Sequence, residues 1–250
     1  MTISVVIPAA GSSTRMGDSK KKEFLRLPSL LFPKEKKTTV LSCVIQSFLV
    51  AFDNSKEFNL TSIIIALPKT QNSIKEAEKA IFTSKKIKEY LSKMNVELCF
   101  VYGDDTRQKS IFNCLEFLKQ KGSPDLVAIH DGARPWIKPT LIYECTVLAK
   151  EKGAASPIIP CVDTLKEIDT QDNSIKTHLE RSKLGAVQTP QIFNFEILYQ
   201  ANLKAIQENF TSTDDTEIWS KFSDKKVFYC SGDVENKKIL ITLDGENCKL

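Results

Sequence analysis

Apolar residues in this chain come in two rhythms that alternate. Short runs rich in β-branched residues read as buried strands: Ile3 to Ile7, Ser62-Ile-Ile-Ile-Ala-Leu67, Val96-Glu-Leu-Cys-Phe-Val101, Leu126-Val-Ala-Ile-His130 and Ala154 to Pro160. Between them the apolar positions recur at helical spacing. Val40, Leu41, Val44, Ile45, Phe48 and Leu49 mark one helix, capped by Thr38 or Thr39. Residues 71–93 are rich in lysine and glutamate and predict an amphipathic helix with a break near Thr83. Ile111, Cys114, Leu115 and Leu118 form the inner face of the next helix. Pro139 opens another, since proline is favoured at a helix start. Strands alternating with helices predict an α/β fold with a doubly wound, mostly parallel sheet.

Residues 161–183 interrupt that alternation. Thr164 to Ile168 and Ser174 to Leu179 flank the polar turn Asp169-Thr-Gln-Asp-Asn and predict a projecting β-hairpin. An exposed hairpin needs cover, and a partner subunit is the simplest cover. A helix follows from about Asn194 to Asn209. Thr213-Asp-Asp reads as a helix N-cap with acidic first-turn residues, and Val227 to Cys230 as a late strand. No internal repeat or low-complexity linker divides the chain. Residues 1–250 therefore read as a single domain, with 161–183 as an arm within it.

Composition narrows the class. At 250 residues and 42% hydrophobic, the chain suits one large α/β domain or two small ones. The net charge of +4 is a weak excess spread over many lysines. It does not call for nucleic acid, and a phosphorylated small molecule would suffice. None of the seven cysteines is paired at C-x-x-C spacing, and most sit in apolar runs as small hydrophobes do. No apolar run reaches membrane-spanning length, and Thr2 to Pro8 lacks the make-up of a signal peptide. The expectation is a reduced, cytoplasmic protein with neither membrane nor nucleic acid as partner.

Ligands of a doubly wound sheet bind at the C-terminal ends of its strands. That rule singles out three loops: Ala9–Lys22, Gly103–Ser110 and Asp131–Pro135. The first, Ala9-Ala-Gly-Ser-Ser-Thr-Arg-Met-Gly17, is made of small residues whose backbone N–H groups can converge on phosphate. Arg15 and Lys22 add two fixed positive charges. No Gly-Lys-Ser/Thr follows, so this is not a Walker loop, and the second glycine of a dinucleotide fingerprint is missing. With only His130 and His178, no histidine-based metal cluster is available, and no Gly-x-Ser-x-Gly elbow marks a hydrolase. His130, at the end of a buried strand, reads as structural. What remains is a set of cations with Asp131. That suits phosphoryl or nucleotidyl transfer, where positioning and charge neutralisation matter most.

Six segments in order resemble one family. They are Pro8-Ala-Ala-Gly-Ser-Ser-Thr-Arg-Met-Gly17, Lys22-Glu-Phe-Leu25, Thr106-Arg-Gln-Lys-Ser110, His130-Asp-Gly-Ala-Arg-Pro135, Asp163-Thr-Leu-Lys166 and Gln188-Thr-Pro-Gln-Ile-Phe193. Together they resemble the 2-C-methyl-D-erythritol 4-phosphate cytidylyltransferases of the non-mevalonate isoprenoid pathway, from about residue 3 to about residue 239. The resemblance implies a Rossmann-like nucleotidyltransferase sheet with a projecting β-arm. It also implies transfer of CMP from CTP to methylerythritol phosphate, with Mg²⁺ bridging the CTP phosphates.

The same resemblance distributes the roles. Arg15 and Lys22 hold the triphosphate and stabilise the transition state. Ala9, Ala10, Gly11, Asp105 and Ser110 line the nucleotide. Asp131, Arg134, Thr164, Thr189 and Thr213 bind the second substrate together with Arg181. Lys238 approaches the reacting phosphates, with neighbouring Lys237 as the alternative. Thr164 and Arg181 flank the arm, so a homodimer would bring them to the neighbouring site. Two departures stand out: Gly103-Asp104 where the family often has Gly-Gly, and Leu240-Ile-Thr-Leu-Asp-Gly-Glu after Ile239. Two other readings stay open at this point, a cytidylyltransferase for ribitol 5-phosphate or another polyol phosphate, and a nucleotide-binding module without turnover.

Overall fold

A computed structural model describes residues 1–11, 22–27 and 38–239. Ser12 to Lys21, with Arg15, lie outside the described residues, as do the basic segment 28–37, residues 240–250 and the side chain of Lys22.

The chain opens with β1 (Thr2–Pro8), a 3-10 turn at Lys22–Phe24, and the short pair β2 (Arg26–Leu27) and β3 (Thr38–Thr39). Then follow α1 (Val40–Phe52), β4 (Asn59–Leu67), α2 (Ser73–Ile81), α3 (Lys85–Met94), β5 (Glu97–Tyr102), α4 (Arg107–Lys121), β6 (Leu126–Ile129), α5 (Pro139–Lys152) and β7 (Ala154–Pro160). The last part holds β8 (Lys166–Asp169), β9 (Ser174–His178), β10 (Gly185–Val187), β11 (Gln191–Asn194), α6 (Phe195–Gln207), α7 (Asp215–Ser223) and β12 (Phe228–Ser231).

Among the described residues the main sheet has eight strands, in the order β10-β7-β11-β6-β1-β4-β5 with β12 alongside β7. β6, β1, β4 and β5 run parallel, and β12 is parallel to β7. Successive side chains of β1 point to opposite faces. Ile3, Val5 and Ile7 pack toward α1 and α5, whereas Val6 packs toward α4 and α6. Helices cover both faces, so the central strands read as unbroken apolar runs rather than alternating ones. Thr39 caps α1, its hydroxyl accepting from the Ser42 N–H at 3.2 Å. The expected break near Thr83 is present: α2 ends at Ile81 and α3 begins at Lys85.

Two strands of the main sheet go beyond the sequence pattern, as does the short pair β2 and β3. β11 lies antiparallel between β6 and β7, and β10 antiparallel along β7. Each is three or four residues long, too short to display a period. The expected hairpin forms as β8 and β9, which pair only with each other among the described residues. Val162, Ile168 and Ile175 on this arm are 83%, 62% and 57% exposed. Among the described residues, no helix is long and apolar enough to cross a membrane.

Candidate active site

Three loops meet at the C-terminal ends of the parallel strands, each pinned by a bond that extends the ladder. The Ala9 N–H donates to the Ala66 carbonyl at 2.9 Å, the Gly103 N–H to that of Leu67 at 2.7 Å, and the His130 N–H to that of Val6 at 3.0 Å. The first two loops touch. A Cβ on Gly103 would lie 2.3 Å from the Ala10 Cβ and 2.7 Å from Ser110 Oγ, so only glycine fits this approach. Ser110 is buried at the start of α4. Its hydroxyl accepts from the Asp104 N–H at 2.9 Å and lies 2.8 Å from the Thr106 carbonyl. It therefore fixes the shape of the 103–106 loop. Thr106 caps α4 by accepting from the Lys109 N–H, and the helix N-terminus faces the cleft.

The cleft has a volume of about 890 Å³. Ala10 and Gly11, Gly103 to Arg107 and Ser110, Asp131 to Ala133, and Lys238 all border it. Asp131 is its electrostatic centre. Lys238 Nζ lies 2.9 Å from Oδ2, Arg134 Nε 3.4 Å from the same oxygen, and Arg107 Nε 3.7 Å from Oδ1. Burial alone would raise the Asp131 carboxyl; Lys238 and then Arg107 overcome it and hold the group down to about 2. The carboxylate stays ionised throughout the neutral range.

Behind Asp131 is a buried relay. Burial pulls the His130 imidazole down to about 4, so it is neutral at pH 7. Its Nε2 is 3.2 Å from the Arg134 carbonyl, which can only accept, so Nε2 carries the proton. Nδ1 is then the acceptor for the Thr189 hydroxyl at 3.0 Å, and Thr189 Oγ1 in turn accepts from the Asp131 N–H at 3.1 Å. Thr189 is thus buried and engaged on both sides. Burial also bears on Arg107 by disfavouring its charge, but Asp215 and then Asp131 more than compensate.

The C-terminal segment is laced onto this core. Gln188 Nε2 donates to the Asp233 carbonyl at 2.8 Å, and the Asp233 N–H donates back to Gln188 Oε1 at 3.1 Å. Buried Asn236 donates to the Thr189 carbonyl at 2.9 Å, and its own carbonyl accepts from Arg134 Nη1 at 2.8 Å. The Ile239 N–H closes the strap on the Ala133 carbonyl at 2.9 Å. This lacing aims Lys238 at Asp131. Lys237, 65% exposed along its side chain, pairs with Glu235 instead.

The structure thus brings Ala10, Gly11, Asp105, Ser110, Asp131 and Lys238 to one cleft, with Ala9 buried beneath and Arg134 and Thr189 beside Asp131. Thr213 is exposed, and its carbonyl faces Arg107 Nη1 at 3.5 Å. Thr164 and Arg181 are not brought there. Both are exposed at the arm, and Arg181 Nη1 donates to the Val162 carbonyl at 3.0 Å. Sequence reasoning missed Arg107, Gln188 and Asn236 as site-building residues. Arg107 and Gln188 stood inside quoted motifs, but their partners lie far away in the chain.

A doubly wound sheet with cations gathered round one carboxylate at its strand ends suits nucleotidyl transfer, and the chain's relatives make it a nucleotidyltransferase. The family model described as IspD, 2-C-methyl-D-erythritol 4-phosphate cytidylyltransferase, matches residues 3–246, and the chain belongs to this family. A protein of that name from Bacillus cytotoxicus is 33% identical over 235 residues, covering 94% of this chain and 91% of that protein. The crystal structure of the 2-C-methyl-D-erythritol 4-phosphate cytidylyltransferase from Thermus thermophilus is similar with a TM-score of 0.67 at 26% identity, covering 96% of this chain and 94% of that one. That of 4-diphosphocytidyl-2C-methyl-D-erythritol synthase from Anaerococcus prevotii gives 0.67 at 27% identity, covering 95% and 91%.

Proposed function

We propose that this protein transfers the cytidylyl group of CTP to 2-C-methyl-D-erythritol 4-phosphate in isoprenoid precursor synthesis. The observation that carries this reading is the cationic cluster round Asp131 in a cleft at the strand ends, on a chain of this family. A phosphate oxygen of the second substrate attacks the α-phosphorus in line. The bond from that phosphorus to the β-bridging oxygen breaks, and pyrophosphate leaves with the electron pair. The nucleophile is already an anion, so no general base is required. The difficulty is to bring two polyanions together and to stabilise a five-coordinate phosphorus, which is work for preorganised cations.

In this reading Arg15 and Lys22 hold the triphosphate, and Lys238 serves the reacting phosphates. Ala10, Gly11 and Asp105 border the nucleotide, with Ala9 supporting them from beneath. Ser110 contributes by fixing the loop that carries Asp104 and Asp105. Asp131, Arg134 and Thr213 receive the polyol phosphate, and Thr189 acts through the Asp131 backbone. Thr164 and Arg181 would reach the cleft of a second copy, with the apolar arm residues buried between the two.

Magnesium fits best as a passenger on the triphosphate. Among the described residues no three His, Cys, Asp or Glu side chains converge as metal ligands, and Asp131 is taken up by three cations. Among the described residues the exposed carboxylates bordering the cleft are Asp104 and Asp105, enough to assist an ion held mainly by phosphates. When bound, the ion would neutralise phosphate charge. CTP is a cytoplasmic metabolite, so the reading carries a cytoplasmic location with it.

The deciding experiment is pyrophosphate release by the purified protein with Mg²⁺ and CTP, with methylerythritol phosphate or ribitol 5-phosphate in parallel. Release with the first alone is expected. Release with the second alone would overturn the substrate, and CTP binding without release in either tube would overturn the activity.

A further inference from the structure

Arg107 opens α4, directly after the loop that borders the nucleotide side of the cleft. Its Nη1 is 2.7 Å from Oδ2 of the fully buried Asp215 and 3.5 Å from the Thr213 carbonyl. Its Nε faces Asp131 Oδ1. One guanidinium thus joins the start of α4, the loop after β6 and the start of α7. The geometry points to Arg107 as a positioning residue for the second substrate. Anchored by Asp215, it fixes the Asp131 carboxylate and the Thr213 backbone in the orientation that receives the polyol phosphate. This inference rests on the cytidylyl-transfer reading and adds a residue to it.

The cations divide between the two carboxylate oxygens of Asp131. Lys238 and Arg134 both lie nearest Oδ2, and Arg107 is the cation on Oδ1 among the described residues. His130 is neutral at pH 7 and reaches the Asp131 backbone N–H, not its carboxylate, through Thr189. Removing Arg107 therefore frees the carboxylate to rotate toward Lys238 and Arg134. Those two cations would then be more fully occupied by Asp131 and less available to an incoming phosphate. A planar fork can hold two partners at once, whereas a lysine ammonium at this position would reach one or the other. Asp215 sits at the first turn of α7, which favours a negative charge there. Its burial removes competition from water, so the anchor is fixed whether or not substrate is bound.

The test is calorimetric. Methylerythritol phosphate is titrated into protein saturated with Mg²⁺ and α,β-methylene CTP, which cannot turn over, and the nucleotide analogue is titrated separately. The variants are Arg107→Met, Arg107→Lys and the double variant Arg107→Met with Asp215→Asn. The double variant leaves no unpaired charge in the buried site and keeps the test sound if the single variant fails to fold. Loss of a charge-assisted contact predicts polyol-phosphate binding weaker by about tenfold or more, with nucleotide affinity within about threefold of the parent. Arg107→Lys stays weakened. Equal weakening of both ligands, or unchanged polyol-phosphate binding in a variant that melts like the parent, would overturn the inference. A parent protein that binds no methylerythritol phosphate would sink the activity reading itself, and this inference with it.

Discussion

Replacing Gly103 by alanine tests how the nucleotide side of the cleft is built. The new methyl would sit 2.3 Å from the Ala10 Cβ. Carbon atoms rest at about 3.5–4.0 Å, so the two loops must part by more than about 1 Å. Both loops are pinned where they leave the sheet. Ala9 is held to the Ala66 carbonyl and Gly103 to that of Leu67, neighbouring residues at the end of β4. Ser110 Oγ, 2.7 Å from the added carbon, would also have to leave the Asp104 N–H. Overpacking of this kind costs about 1–3 kcal/mol. At about 2–4 °C per kcal/mol for a chain of this size, the melting midpoint falls by about 2–12 °C.

Two other glycines provide a graded series. An alanine at Gly132 would come 3.2 Å from Ile7 Cγ2 and 3.4 Å from Glu23 Cγ, a shortfall that side chains can absorb. At Gly11 nothing among the described residues lies within 4 Å and the backbone is not left-handed. There alanine is neutral or stabilising by up to about 1 kcal/mol, through the unfolded state. Scanning calorimetry should therefore rank Gly103→Ala well below Gly132→Ala, and Gly132→Ala below Gly11→Ala. In steady-state assays Gly103→Ala should raise the KM for CTP more than that for the polyol phosphate, because Ala10 and Ser110 move. A Gly103→Ala protein that melts with the parent would refute the steric argument. A parental KM for CTP in a destabilised variant would detach this contact from the nucleotide.

Arg15→Ala and Lys22→Ala should each lower turnover by about 10²–10³-fold, the cost of losing one preorganised transition-state donor; near-normal turnover in both would cancel their assignment. His130 makes stability depend on pH. Its folded value of about 4 lies below the ordinary 6.5, so the unfolded chain takes up a proton first as pH falls. Stability drops through that window at about 1.4 kcal/mol per pH unit, about 3 kcal/mol in all. Urea unfolding from pH 7 to 4.5 should show this slope in the parent and lose it in His130→Asn; equal slopes would refute the assignment. Asp131 acts lower, its contribution complete above 3.8 and lost as pH falls through about 2. On the arm, Ile168 and Ile175 are direct cross-strand partners. Sedimentation should find a dimer for the parent and a folded monomer for Ile168→Glu with Ile175→Glu. A parental monomer, or a dimeric double variant, would count against the arm as the interface.

The five strands read from apolar runs are all present; β1, β4 and β6 are buried along most of their length, whereas β5, at the sheet edge, is only half-buried and still reads as a run. The arm was legible for a different reason, since its strands alternate around a polar turn. β11 escaped because four residues ending at a helix cap carry no period, and its antiparallel place is set by β6 and β7. The site divides along similar lines. Its location followed from strand order, since loops after parallel strands must gather at one sheet end. Its internal wiring did not. Asp215 reads in sequence as an acid favoured in a helix first turn, and it is that. It becomes Arg107's anchor only because α7, packed on α6, brings its first turn within reach of the start of α4.

Thr189 shows the same limit from the other side. Its motif points to substrate, yet its hydroxyl donates to His130 and accepts from the Asp131 N–H. A buried hydroxyl so engaged fixes the His130 ring and the Asp131 backbone. Asn236 holds Thr189 with its side-chain amide N–H and Arg134 with its backbone carbonyl. The visible motif residues therefore present charge to the cleft, while residues from distant segments set where that charge points. Substitutions in the first group should show mainly in turnover. Those in the second should show in the balance between the two substrates, because they alter orientation without removing the charge.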